Sequence, residues 1–413
     1  MSETPSSANY DVVIVGGGMI GTSLALALQP LSLRVAVVEA VARASAAQPS
    51  FDDRSTALSR STQRMFEAMG LWDEIRAAST PIKRIHVSDK GRFGFSHIDA
   101  EEQGVEALGY VVINRVLGEV LNSALAGANI DFLCPARISD VQLGPDVASA
   151  VALQPDGRET PLRSSLLVAA DGANSLVREK MGISARQTPY AQRAIIGNVL
   201  SERAHDNVAY ERFTEQGPLA MLPISEERAA FVWIVQEAAA EATLALDDAA
   251  FTAKLQEVFG NRLGEFSKIG KRASYPLALS EAARLTATRS VVVGNAAHGL
   301  HPVAAQGFNL GMRDVAALCD CIADEVQSAV PDLGNTELLQ RFAEWRRPDQ
   351  KKLVRFTDGL IKLFASKSRS LRALRNAGML GFDFVPGVRG EFARQTMGLA
   401  GRLPRLSRGV PLK

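Results

Sequence analysis

The chain has 413 residues, more than one typical domain, so two or three lobes around a sizeable core are expected. Hydrophobic residues make up 46% and charged residues 22%, and the formal net charge of +1 gives no global reason to bind nucleic acid. The three cysteines include no CxxC pair, which argues against a disulfide framework, and no run of 18 apolar residues offers a bilayer span.

The start, MSETPSSANY, lacks the basic and apolar regions of a secretory signal, so reduced thiols at Cys134, Cys319 and Cys321 in a cytoplasmic protein are expected. After a disordered stretch over 1–9, YDVVIV reads as a buried strand, GGGMIGTSLALALQ as a turn and helix, and LRVAVVE as a second strand. DDRSTALSRSTQRMFEAMGLWDEI reads as a loop followed by a helix. IKRIHVSDKGRFGFSHI reads as a hairpin turning at Asp89, Lys90 and Gly91. VVINRVLGEVLNSALAG has helical spacing and stops at Gly127. SSLLVAADG and SVVVGNAAH are two further strand-to-loop transitions. Between them, residues 186–280 are β-rich. One helix there, DDAAFTAKLQEVFGNRLGEF, carries Phe251, Leu255, Val258, Phe259 and Leu263 on a stripe.

This order predicts an α/β fold with a Rossmann-like lobe built from 10–80, 104–185 and 281–345. A β-rich domain follows from 81–103 and 186–280, and a basic helical region from 346–413. Residues 346–413 hold 16 Lys and Arg against 4 Asp and Glu, so the other 345 residues carry 30 basic and 41 acidic groups. A basic tail on an acidic body suits solvated helix faces, an anionic membrane surface or an acidic partner.

Gly16-x-Gly18-x-x-Gly21 lies between a strand and a helix. Gly16 permits the tight turn, Gly18 lets a pyrophosphate approach the backbone, and Gly21 allows close packing of helix on strand. Glu39 closes the second strand 18 residues after Gly21, where a carboxylate accepts hydrogen bonds from a ribose. Asp171-Gly172 and Gly294-Asn295 end two more apolar strands, and Arg178 lies beyond the first. Loops of small, polar, backbone-exposing residues at three strand ends suit an extended flavin dinucleotide. With one such fingerprint, FAD and NAD(P) cannot each have a Rossmann loop.

The order GxGxxG, DG, then a GD-like loop with a P…QGxNxG segment resembles the FAD-dependent aromatic hydroxylases of the para-hydroxybenzoate hydroxylase type, from about Tyr10 to Arg355. DDRSTALS, IHVSDKGRFGF, ERFTEQGPLAMLP, KRASYPLAL and GNAAHGLHPVAAQGFNLGMRD are similar to the ubiquinone-biosynthesis hydroxylases. Among these the resemblance is greatest to the 2-octaprenyl-6-methoxyphenol hydroxylases. It implies an FAD-binding Rossmann-like lobe with an inserted β-sheet substrate domain. It also implies hydroxylation of a 2-polyprenyl-6-methoxyphenol by NAD(P)H-reduced flavin and O2, through a C4a-hydroperoxyflavin.

The resemblance assigns Asp171 and Gly172 to FAD and nicotinamide binding, and the loop from Gly294 through Asn295 to Pro302 to the ribityl chain and flavin. It points the helix start at Gly307, Asn309 and Gly311 toward the pyrimidine edge, and it lays Arg54 along the cofactor. It further implies lipid substrates and partner proteins of the same pathway, which fits a basic region that docks on the inner face of a membrane or on an assembly. Two departures stand out. Asn295 replaces the usual Asp of the wider family, and Ala305 replaces the Gly of Pro-x-x-Gly-Gln-Gly. Ala305 matters if its φ is positive, where a β-carbon costs on the order of 1 kcal/mol.

His298 and His301 are spaced as His-x-x-His, but no third ligand is recognisable, so no metal is expected. Packing near the flavin is the main reading of the pair, and His298 is a weak candidate for proton transfer. The flavin carries the chemistry, and the residues single out no base for the phenol. Phe213, Met221, Phe231 and Trp233, on strands of the insert, are candidates for a broad apolar substrate cavity. Rival readings are a sibling hydroxylase acting at another ring carbon, a flavin reductase of prenyl double bonds, and a non-catalytic flavoprotein scaffold.

Overall fold

The computed structural model describes residues 8–42, 54–91, 95–365 and 387–412. Its first sheet is built on four parallel strands: β1 (Ala8–Val15), β2 (Val35–Val38), β11 (Glu159–Ala169) and β19 (Ser290–Val292). β8 (Asp131–Leu133) extends it in parallel, and β18 (Thr286–Ala287) closes the other end antiparallel. The meander β9 (Arg137–Leu143) and β10 (Ala148–Leu153) pairs along β11. Val12, Val13 and Ile14 are all buried, as expected of a parallel strand covered on both faces. Each such side chain contributes about 1.5–3 kcal/mol by leaving water. α1 (Met19–Leu28) packs against α4 (Asn114–Ala126) and α8 (Gly307–Val326).

The second sheet runs β20 (His298–Gly299), β17 (Ala273–Ala282), β12 (Ala185–Ser201), β15 (Arg228–Gln236), β14 (Leu219–Ser225), β13 (Val208–Phe213), β5 (Arg84–Asp89), β6 (Phe95–Asp99). β16 (Phe266–Ser267) pairs with β12. The early hairpin β5–β6 therefore joins the sheet formed by the later insert. One face of this sheet packs on α6 (Glu237–Leu244) and α7 (Asp248–Phe259), with Phe231 and Trp233 against Phe251. The Asp247 side chain caps α7 through Ala250 N at 2.7 Å. α7 ends at Gly260, whose φ is +88°, so Leu263 lies beyond the helix that the sequence pattern extends through it, although it stays buried.

A small third sheet, β3 (Ser55–Ser59), β7 (Gly109–Ile113) and β4 (Ser79–Ile82), bridges the two. It corrects two readings: STALS is a strand rather than loop, and GYVVI is a strand that precedes α4. α2 (Arg60–Ala68) and α3 (Trp72–Ala77) follow β3, and the short α5 (Leu176–Lys180) follows β11. α9 (Thr336–Ala365) starts ahead of residue 346 and continues through Pro348. A further helix spans Val388–Thr396. Among the described residues, no helix is long and apolar enough to cross a membrane.

Several bases of the C-terminal region are engaged within the fold. Arg346 pairs with Asp314 and Asp349, Arg389 with Glu102, and Arg405 with Asp324. Arg347 donates to the carbonyls of Ala282 and Ala283, and Arg402 lies 3.9 Å from the centre of the Trp345 ring.

Candidate active site

Val15 pairs with both Val38 and Ala169, and Ala169 pairs with Val292. Four parallel strands therefore end level, and the loops with Gly16, Glu39, Asp171 and Gly294 leave the same edge of one sheet. Gly16 has φ +106°, and a β-carbon there would collide with the Ala170 carbonyl and lie 2.8 Å from Asp171 N. A β-carbon on Gly21 would collide with the Gly16 carbonyl, so glycine lets α1 approach the turn. Gly18 caps α1, which has no side-chain cap and no acid in its first turn. Its positive end is left for an anion.

Glu39 is buried and accepts from Gly17 N at 2.6 Å and Val41 N at 2.7 Å. A carboxylate has about four acceptor positions, so a ribose hydroxyl has room beside these two bonds. Ser175 caps α5, and Asp171 accepts from Val177 N at 3.2 Å in its first turn and from the Ser175 hydroxyl. Burial pushes its carboxyl above the usual range against these bonds. Gly172 has φ +86° with no atom near its missing β-carbon. The buried Arg178 donates to Ala173 O at 3.1 Å and Ala296 O at 3.0 Å, tying the Asp171 loop to the Gly294 loop.

The Gly294 loop rests on Asp314 of α8. Asp314 accepts from Gly294 N at 3.1 Å, His298 Nε2 at 2.7 Å, Arg346 Nε at 2.7 Å and Gln350 Nε2 at 3.0 Å. Burial alone would push its carboxyl up, but Arg346 and His298 together hold it well below the usual range. His298 is thus part of a buried scaffold and off the cavity wall, which corrects its reading as a proton-transfer candidate. Asn295 is exposed, with no partner for its amide among the described residues. α8 starts at Gly307 without a side-chain cap or an early acid, a second open helix end on this edge.

The Asn309 side chain is engaged within the protein. It accepts from Ser59 N and Thr62 Oγ1 and donates to Ala57 O and Ala305 O, so its backbone alone is left for a ligand. Ala305 has φ +49°, so the alanine occupies a conformation that favours glycine. Arg54, at the start of β3, lies 4.8 Å from the centre of the Tyr275 ring.

A cavity of about 490 Å³ opens between this loop and the second sheet. Pro302, Val303 and Ala305 form one wall, and β13, β14 and β15 contribute Glu211, Phe213, Ala220, Leu222 and Val232 to another. Leu360 of α9 and Phe392 of the Val388–Thr396 helix also line it. Phe213 lies on this wall. Met221, Phe231 and Trp233 do not: they point to the opposite face, into the core with α7. The reason is the two-residue alternation of a strand, which gives Ala220, Leu222 and Val232 to the cavity. Glu211, Arg178 and Asp314 were not singled out as site residues. A signal was present for one of them: Glu211 is a charge at an inward position between Ala209 and Phe213.

An anion-binding sheet edge that faces an apolar chamber across a glycine-rich loop defines a flavoprotein with a separate substrate compartment. The sequence matches the FAD binding domain family over residues 9–357. It is 37% identical to ubiquinone hydroxylase UbiL of Rhodospirillum rubrum over 97% of this chain and 93% of that protein. It is 30% identical to 3-demethoxyubiquinol 3-hydroxylase of Escherichia coli over 94% of this chain and 98% of that one. The fold is similar to that of p-nitrophenol 4-monooxygenase PnpA from Pseudomonas putida DLL-E4, with a TM-score of 0.77 and 19% identity over 95% of this chain and 99% of that chain. The protein belongs to the FAD-dependent aromatic-ring monooxygenases, in the branch of the ubiquinone hydroxylases, and its cofactor is FAD.

Proposed function

We propose that this chain hydroxylates the ring of a 2-polyprenyl-6-methoxyphenol on the way to ubiquinone. The observation that carries the reading is the apolar chamber walled on one side by the flavin loop. An apolar lining suits a prenylated ring, and Pro302, Val303 and Ala305 on its wall put that ring beside the cofactor. The residues present fit FAD: glycines where a β-carbon would collide, two helix ends free of acid, and Glu39 with spare acceptor positions. Bound FAD, reduced by NAD(P)H, supplies the electrons with which one oxygen atom of O2 enters the ring.

The α1 and α8 N-termini would stabilise negative charge on the diphosphate and on the flavin of bound FAD. Asp314 and Arg178 fix the two loops between them. Leu360 and Phe392 add apolar surface to the chamber, and a drier chamber would limit loss of oxygen as hydrogen peroxide.

A sibling hydroxylase acting at another ring carbon is the second reading, favoured by the name of the Escherichia coli relative. Deletion of the gene and mass-spectrometric profiling of prenylated intermediates separates the two. A prenyl-methoxyphenol lacking the para hydroxyl should accumulate, whereas build-up of a different intermediate assigns the sibling reaction. Exposed Lys351, Lys352 and Arg355 on α9 suit peripheral contact with an anionic membrane or a pathway assembly. Sedimentation with anionic phospholipid vesicles tests that contact, and no binding at low salt removes it.

A further inference from the structure

Glu211 is a charged residue on the wall of an otherwise mostly apolar cavity. β13 alternates, sending Ala209, Glu211 and Phe213 to the cavity wall. Its neighbours across the strands are Ala220 of β14 and Val87 of β5, both apolar and both on the same wall. The half-buried carboxyl has no hydrogen bond or ion pair among the described residues. Several other polar groups on the wall are engaged: Asn309 makes four bonds, Ser59 bonds Thr62, and the Thr396 hydroxyl donates to Ala393 O. Tyr210, the other titratable residue that touches the cavity, turns its ring to the opposite face against Phe259, and no cation comes from β5, β6, β14, α9 or the Val388–Thr396 helix.

We propose that the Glu211 carboxylate accepts the proton of the substrate's phenolic hydroxyl and so activates the ring for oxygen transfer. The inference rests on the hydroxylase reading above. The phenolic O–H bond breaks, its proton goes to a Glu211 oxygen, and the electron pair left behind raises electron density at the ortho and para carbons. One of these carbons bonds to one oxygen atom of O2, and the other oxygen leaves as water on two electrons from NAD(P)H, which bound FAD would relay, with protons from solvent. The carbon then releases its hydrogen to solvent as a proton, and Glu211 returns its proton to the original oxygen. Burial pushes the Glu211 carboxyl up to about 8. That value lies between neutral pH and an ordinary phenol near 10, the range suited to a base for this proton.

The test uses the FAD-loaded full chain with 2-methoxy-6-prenylphenol as probe. In the wild type, kcat should rise tenfold per pH unit and level off above about pH 8. Glu211→Gln should lower kcat about 100-fold or more and lose that rise, while FAD content and probe affinity stay within threefold. A ring-fluorinated probe already ionised at the assay pH should recover most of the loss. Glu211→Asp, which keeps a carboxylate, should retain the pH rise and more of the rate, and it carries the test if the Gln variant does not fold. Glu211→Gln with kcat within threefold of wild type, or an unchanged pH profile, overturns the assignment. A wild-type protein that oxidises NAD(P)H but hydroxylates no phenol at any pH overturns the reading beneath it, a result distinct from a silent Glu211 variant.

Discussion

His298 donates to the Asp314 carboxylate at 2.7 Å, inside the scaffold that holds the Gly294 loop. The same carboxylate neutralises Arg346, which is buried. Removing Asp314 leaves that guanidinium with less compensation in a dry setting, and losses of about 3–5 kcal/mol are typical when one partner of a buried pair is deleted. Asp314→Ala should therefore unfold at lower urea with and without FAD, and should also retain less flavin. Equal stability of the two FAD-free proteins would contradict the scaffold role.

Gly16 combines a positive φ with a collision between any β-carbon and the Ala170 carbonyl. Gly16→Ala should weaken FAD binding tenfold or more, read by flavin fluorescence during titration of the apoprotein. Unchanged affinity would show that the turn does not bear on the cofactor.

Ala305 tests a smaller effect. Its φ of +49° costs on the order of 1 kcal/mol relative to glycine. Glycine returns about 0.4–1 kcal/mol of that through the freer unfolded chain. Ala305→Gly should thus be nearly neutral in chemical denaturation, and Ala305→Val clearly destabilising. A gain of several kcal/mol for the glycine variant would mean that the alanine is strained by more than its φ.

The two faces of the second sheet should separate in mutagenesis. Phe231→Ala removes core packing with Phe251 and should cost about 3–5 kcal/mol in stability with little change in substrate preference. Ala220→Phe fills part of the chamber and should lower kcat/KM for the prenylated phenol tenfold or more while the protein remains folded. The opposite pattern would place the substrate on the α7 face.

Burial lowers the His301 imidazole to about 4 from the ordinary 6.5. The unfolded chain binds the proton first as pH falls, so stability is lost between pH 6.5 and 4, on the order of 3 kcal/mol at full protonation. His301→Gln should flatten the acid limb of a melting-temperature profile in that window. His86 and His205 are lowered in the same direction and account for acid sensitivity that remains. An identical profile for the variant would remove His301 from this account.

What could be read in the sequence was the chemistry that demands a residue type. A turn against a neighbouring backbone admits only glycine, so Gly16 and Gly21 announce themselves, and Glu39 follows from its place at a strand end. Parity was not legible. Met221, Phe231 and Trp233 look as fit for a cavity as Ala220 and Val232, because the alternation of a strand does not say which face meets a helix. β3 was hidden for a related reason: of its five residues only Leu58 and Ser59 are buried, too few for a pattern. Asp314 and Arg178 act across long separations, on loops that only the fold brings near them.

In the proposed reaction, O2 supplies the oxygen placed on the ring of a prenylated phenol. Purified, FAD-loaded protein given NAD(P)H, 2-methoxy-6-prenylphenol and 18O2 should yield a product carrying one 18O on the ring. A product labelled only from H218O, or FAD-dependent turnover of the phenol that proceeds without O2, would contradict it.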